Sequence, residues 1–131
     1  MKEGKLVSNE QVLDLLQIAM KNVVSEINGF LIDGYPREIG QAKDFENKIA
    51  PATLVFYFHC PDNVMTERLL KRGQNRADDN FETIQKRLKV FHSNTELILN
   101  YFKDRIIHIN TDQDIENVFA IVDEHIKKVL V

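Results

Sequence analysis

Leu54-Val55-Phe56-Tyr57-Phe58 is a near-continuous run of aromatic, β-branched and aliphatic residues between Pro51 and Pro61. It is too short for a buried helix and has the composition of a strand covered on both faces. The flanking segments change period. Ser8-Asn9-Glu10-Gln11 forms an S-x-x-Q capping box, and Val12, Leu16, Ala19, Val23 and Ile27 then recur at helical spacing. Phe30-Leu31-Ile32 ends at Asp33-Gly34, as a buried strand entering a turn would. Glu38 to Lys48 permits a helix through Ala42, Phe45 and Ile49, and Pro61-Asp62 can open another, with Val64, Met65, Leu69 and Leu70, ending near Gly73. The longest helix should start near Asp78 or Asp79 and carry Phe81, Ile84, Leu88, Phe91, Ile98 and Phe102 on one stripe, with Thr95 a polar gap. Ile106 to Ile109 is a third strand candidate, and Asp114 opens a terminal helix through Ile115, Val118, Phe119, Val122, Ile126 and Val129. Strands alternating with helices imply right-handed crossovers and a parallel sheet, an α/β fold.

No linker, repeat or domain boundary is visible in the 131 residues, so one domain or a piece of one is expected. Seventeen Lys plus Arg against twenty Asp plus Glu leave a formal charge of −3, which argues against general nucleic-acid binding. The lone Cys60 cannot form an internal disulfide, and with no membrane-length apolar run or signal-like start a soluble, cytoplasmic protein is expected. His59-Cys60 reads as packing rather than a zinc site, because no other ligand type recurs at zinc spacing; His92, His108 and His125 are scattered.

Two clusters carry chemistry. Asp33 followed by Gly34-Tyr35-Pro36-Arg37 puts a carboxylate and a guanidinium at the carboxyl edge of a parallel sheet, where open α/β folds bind ligands. A carboxylate there can hold Mg²⁺ through water, and Arg37 offers a planar fork of donors to a phosphate; the pair reads equally as a turn-capping carboxylate and a solvated charge. The second cluster is Arg68, Arg72, Arg76 and Arg87, with Asp78 and Asp79 between them. A helix-loop-helix fold-back could converge these arginines on polyphosphates, as phosphoryl transfer requires. A surface salt-bridge network with Glu67, Asp78, Asp79 and Glu82 is the simpler alternative.

Gly29 to Gln41 resembles the adenylate kinase signature: apolar residues, then D-G-[FY]-P-R, three residues and Q. The similarity extends from Gly4-Lys5-Leu6-Val7 through Thr66 to Gly73, Arg76 to Asn80 and Lys86-Arg87-Leu88 to the terminal helix, and is strongest to short-lid cytosolic members. The resemblance implies ATP and AMP as substrates, ADP as product, and Mg²⁺ with ATP. It assigns Lys5, Leu6, Val7, Gly34, Tyr35, Pro36, Arg37 and Gln41 to the AMP site, Arg37 on the phosphate and Gln41 on the adenine. Arg76 and Arg87 would touch the AMP phosphate and the group in flight, and Arg87 would point back toward Arg37. Arg72 and the backbone of Gln113 would lie against the ATP adenine, Asp33 would stand near Mg²⁺ through water, and Asp78 and Asp79 would pair with lid arginines. The Tyr35-Pro36 bond would be cis.

By the same resemblance residues 1–131 form the carboxyl-terminal two-thirds of one domain, with 1–7 ending the AMP-binding region and 73–80 a short lid. The family's first strand, phosphate loop and first helix are absent, and no Gly-rich loop occurs in this sequence. In the family's strand order 2-3-1-4-5 the chain would supply strands 3, 4 and 5. It departs from the family in a lid about two residues shorter between Arg72 and Arg76, in Asn75 and Gln113 where Gly is common, and in His59 for a frequent Asp. The expected function is a nucleoside monophosphate kinase, monomeric at full length, that binds neither nucleic acid nor membrane. A UMP/CMP kinase and a non-catalytic nucleotide-binding module are the alternatives. The isolated chain is expected to be marginally folded and catalytically silent.

Overall fold

Ser8 starts the first helix through both halves of its capping box. Its Oγ accepts the Gln11 N–H at 3.2 Å, and the Gln11 Oε1 accepts the Ser8 N–H at 3.3 Å. The computed structural model describes residues 8–72 and 80–130, and the chain divides into two units, Met1–Ala52 and Thr53–Val131.

In the first unit, helix α1 (Asn9–Val23) buries Leu13. Ala19, which the predicted stripe includes, is exposed, and the helix ends before Ile27 in a turn over residues 24–26. Helix α2 (Ile39–Lys48) buries Ala42. A Lys48–Asp14 ion pair and a Gln17 Nε2 bond to the Lys48 carbonyl (3.4 Å) tie it to α1. The predicted strand at Phe30-Leu31-Ile32 does not form: residues 29–33 carry no regular secondary structure, and Leu31 is 83% exposed. A strand is defined by a ladder partner, and among the described residues the only sheet lies in the other unit.

That sheet has two parallel strands, β1 (Val55–His59) and β2 (Ile106–Asn110), with Tyr57 opposite His108 and His59 opposite Asn110. These are the strands that the family order places side by side. Helices α3 (Asp62–Lys71) and α4 (Phe81–Tyr101) lie between them in sequence, and α5 (Ile115–Leu130) follows. Asn80, rather than Asp78 or Asp79, caps α4, its Oδ1 accepting the Thr83 N–H at 2.9 Å. Ile84, Leu88, Phe102 and Ile109 form the core with Thr95, so the polar gap in the α4 stripe is buried. Phe81 and Phe91 are exposed despite their place on that stripe. β1 is not covered on both faces as its composition suggests: Phe58 is 48% exposed, because two strands and their helices cannot enclose every large side chain of such a run. One face of the sheet meets α5, where the Phe56 ring approaches His125 edge-on at 6.3 Å.

Candidate active site

The turn from Asp33 to Arg37 is built in the first unit from one glycine, one proline and a set of side-chain bonds. Gly34 has φ +75°, a conformation that glycine adopts without the steric cost of a Cβ, and the Tyr35-Pro36 peptide is cis. The chain thereby doubles back so that the Arg37 Nε donates to the Gly34 carbonyl at 2.8 Å. With Nε engaged, the two terminal amino groups of the guanidinium form a fork suited to an anion. Gln41, on the first turn of α2, accepts the Arg37 backbone N–H through Oε1 at 2.7 Å. Its carboxamide therefore orients the turn.

Tyr35 anchors the turn from beneath. Its hydroxyl proton is shared between Asn9 Oδ1 at 2.9 Å and the Gln41 carbonyl at 3.2 Å, and its ring centroid lies 6.2 Å from that of Phe45. Asn9 in turn donates through Nδ2 to Asp44 Oδ2 at 2.7 Å. Burial, and then the nearby Asp44 carboxylate, raise the Tyr35 phenol above its ordinary pKa, with the Asn9 bond opposing them. The hydroxyl is thus held as a donor. Asp33, just before the turn, is exposed.

The second unit places the other arginines. Arg72 caps the end of α3, and Arg87 lies on an exposed face of α4. Arg68 is instead part of the architecture: its Nη2 donates to the Thr111 carbonyl at 2.9 Å, fixing the loop after β2. In that loop Gln113 Nε2 donates to the Asn110 carbonyl at 2.5 Å, and Asn110 Oδ1 accepts the Asp112 N–H at 2.8 Å, so the turn closes with Gln where Gly is common. Glu67 pairs with Lys71 and Glu82 with Lys86, each one helical turn away. Lys5, Leu6, Val7, Arg76, Asp78 and Asp79, and all of the predicted lid except Asn80, lie outside the described residues. Arg37 and Arg87 belong to different units and each is described within its own.

Sequence reasoning missed Asn9 and Asp44, whose link spans 35 residues, and the Asp62–His92 contact at 2.7 Å between α3 and α4. One signal was present for the first: Asn is a weak helix former at a position where Ser8 already supplies the cap. His59 stacks near Tyr57 (5.4 Å between centroids) and near His108 (6.2 Å), a neighbour 49 residues away in sequence.

Parallel strands joined through helices, with a D-G-Y-P-R turn presenting a tethered guanidinium, define an α/β protein of the phosphate-loop nucleotide-kinase class. A family profile described as "Adenylate kinase" matches residues 1–107. Adenylate kinase isoenzyme 1 of Rattus norvegicus is 46% identical over 124 residues, covering 92% of this chain and 64% of that protein. The Bos taurus isoenzyme 1 is 45% identical over 130 residues, covering 96% and 67%, and adenylate kinase 1 of Drosophila melanogaster is 41% identical over 134 residues, covering 99% and 58%. The chain belongs to the adenylate kinase family, and it spans 58–67% of the length of these relatives.

Proposed function

We propose that the protein is a nucleoside monophosphate kinase that transfers the terminal phosphoryl group of ATP to AMP, giving two ADP. The observation that carries this reading is the Asp33–Arg37 turn, in which the Arg37 guanidinium is tethered by Nε to the Gly34 carbonyl. An oxygen of the AMP phosphate attacks the terminal phosphorus of ATP, and the bond from that phosphorus to the bridging oxygen breaks, leaving ADP. Such transfer depends on placing two polyanions in line and neutralising them. In this reading Arg37, Arg76 and Arg87 hold the AMP phosphate and the group in flight, and Lys5, Leu6, Val7, Gly34, Tyr35, Pro36 and Gln41 enclose the nucleoside. Arg72 and the Gln113 backbone take the ATP adenine.

Mg²⁺ would accompany ATP. Asp33, an exposed carboxylate just before the turn, would hold the ion through water. When bound, the ion would supply positive charge that offsets the charge of the phosphates. The 131 residues contain no Gly-rich phosphate loop, so this chain by itself should bind the monophosphate and transfer nothing. No helix among the described residues is long and apolar enough to cross a membrane; we read the protein as cytoplasmic and, at full length, monomeric.

A coupled assay of ADP formation, with AMP, UMP and CMP as acceptors, run on the 131-residue chain and on the full-length protein, tests the reading. Turnover by the full-length protein with AMP preferred is the expected result. Preference for UMP or CMP would make it a pyrimidine kinase, and AMP binding without turnover in the full-length protein would make it a nucleotide-binding module.

A further inference from the structure

The bonds beneath the turn end on a residue outside the recognised motif. Asn9 is the first residue of α1, whose cap is already complete through Ser8 and Gln11. Its carboxamide is used at both ends: Nδ2 donates to Asp44 Oδ2 at 2.7 Å, and Oδ1 accepts from the Tyr35 hydroxyl at 2.9 Å. A carboxylate only accepts, so Asp44 fixes which end of the amide faces Tyr35, and the phenol must then donate. The same hydroxyl reaches the Gln41 carbonyl at 3.2 Å, and the Gln41 side chain accepts the Arg37 N–H at 2.7 Å. Three links therefore join Asn9 to the backbone of Arg37. They bring together residues 26 and 35 apart in sequence, which no local turn does.

We propose that Asn9 is a positioning residue of the monophosphate-binding turn: clamped between Asp44 and Tyr35, it holds the turn in the conformation that presents Arg37 and Gln41 to AMP. The inference deepens the kinase reading and rests on it for the identity of the ligand. Few side chains fit the role. Leucine fills a similar volume but makes neither bond, and aspartate sets a second carboxylate against Asp44. Asn9→Asp should therefore be worse than Asn9→Leu wherever Asp44 is charged.

The test uses the full-length protein with Asn9→Leu, Tyr35→Phe, their combination, and Asp44→Asn, which keeps an oxygen acceptor for Asn9. Asn9→Leu and Tyr35→Phe should each raise KM for AMP about 3–10-fold, the scale of one or two lost hydrogen bonds. In Asn9→Leu, KM for ATP and the saturating rate should stay within about twofold, because the interaction acts equally in ground and transition states. The double variant should be no worse than the poorer single, since both cut one chain of bonds. Asp44→Asn should retain most of the wild-type AMP response.

A second readout needs no nucleotide: amide hydrogen exchange at Arg37 should quicken several-fold in Asn9→Leu, while the Phe45 amide within α2 is unchanged. A lower melting temperature with unchanged KM for AMP, or fully additive effects in the double variant, would overturn the proposal and leave the kinase reading intact. Faster Arg37 exchange in a protein that ignores AMP would instead refute the kinase reading while the positioning of the turn stands. Should Asn9→Leu fail to fold, Asn9→Ala decides the matter through the same two measurements.

Discussion

Replacing Gly34 or Gly40 by alanine adds the same methyl group at positions six residues apart, and the structure requires opposite effects on stability. At Gly34 a Cβ would meet only the Arg37 Nη2, at 3.5 Å, an ordinary contact. The space is there; the conformation is what costs. With φ at +75°, an L-residue loses about 1–2 kcal/mol in the left-handed region. The smaller conformational freedom of alanine in the unfolded chain returns part of this, about 0.4–1 kcal/mol. Gly34→Ala should thus destabilise by about 1 kcal/mol. Gly40 lies in the first turn of α2, and a Cβ there meets nothing within 4 Å, so Gly40→Ala should stabilise by about 0.5 kcal/mol, the low end for a helical position. Urea unfolding followed by circular dichroism should separate the two variants by about 1.5 kcal/mol at unchanged m-value. If Gly34→Ala equals or exceeds the wild type in stability, the left-handed turn is not the solution conformation. The tether from Arg37 to the Gly34 carbonyl then loses its basis.

In the full-length protein Arg37→Lys should lower kcat/KM for AMP about 10–100-fold, nearly as far as Arg37→Ala, because lysine restores the charge without the fork or the Nε tether; steady-state kinetics at varied AMP would show it. Ile84 is fully buried, so Ile84→Ala should cost about 2–5 kcal/mol in the same urea assay, whereas Val90→Ala, on the exposed side of α4, should stay within about 0.5 kcal/mol. The Tyr35 phenol has a pKa raised above its ordinary 10.0, first by burial and then by Asp44. The folded state therefore holds the phenolic proton more tightly than the unfolded chain does. Its contribution is complete below about pH 10 and is lost as pH rises through the folded value. Tyr35→Phe should flatten the alkaline fall in stability, leaving the part due to Tyr57, whose phenol is shifted in the same direction.

Elements whose signals are local were readable from the residues themselves. A capping box, an apolar stripe at 3.6-residue spacing and a breaking proline act within a few residues, so α1, α2, α3, α4 and α5 lie close to where the pattern puts them. The D-G-Y-P-R turn was legible for the same reason, since its glycine conformation and proline geometry are properties of adjacent residues. Elements that depend on a partner were not. Phe30-Leu31-Ile32 has the composition of a strand, yet only a neighbouring strand makes one, and among the described residues none pairs with it. Phe58, Phe81 and Phe91 are as apolar as the core residues beside them, but which side chains are covered depends on what packs against the element. Arg68 looked like its neighbours in a basic cluster until the fold brought it to the Thr111 carbonyl. The residues of the turn thus made Arg37 a candidate phosphate ligand, and the family resemblance added Gln41. Only the folded chain, by bringing Asn9 and Asp44 to Tyr35, decided how they are held, because a hydrogen bond between residues 26 or 35 apart exists only once the backbone has closed the distance.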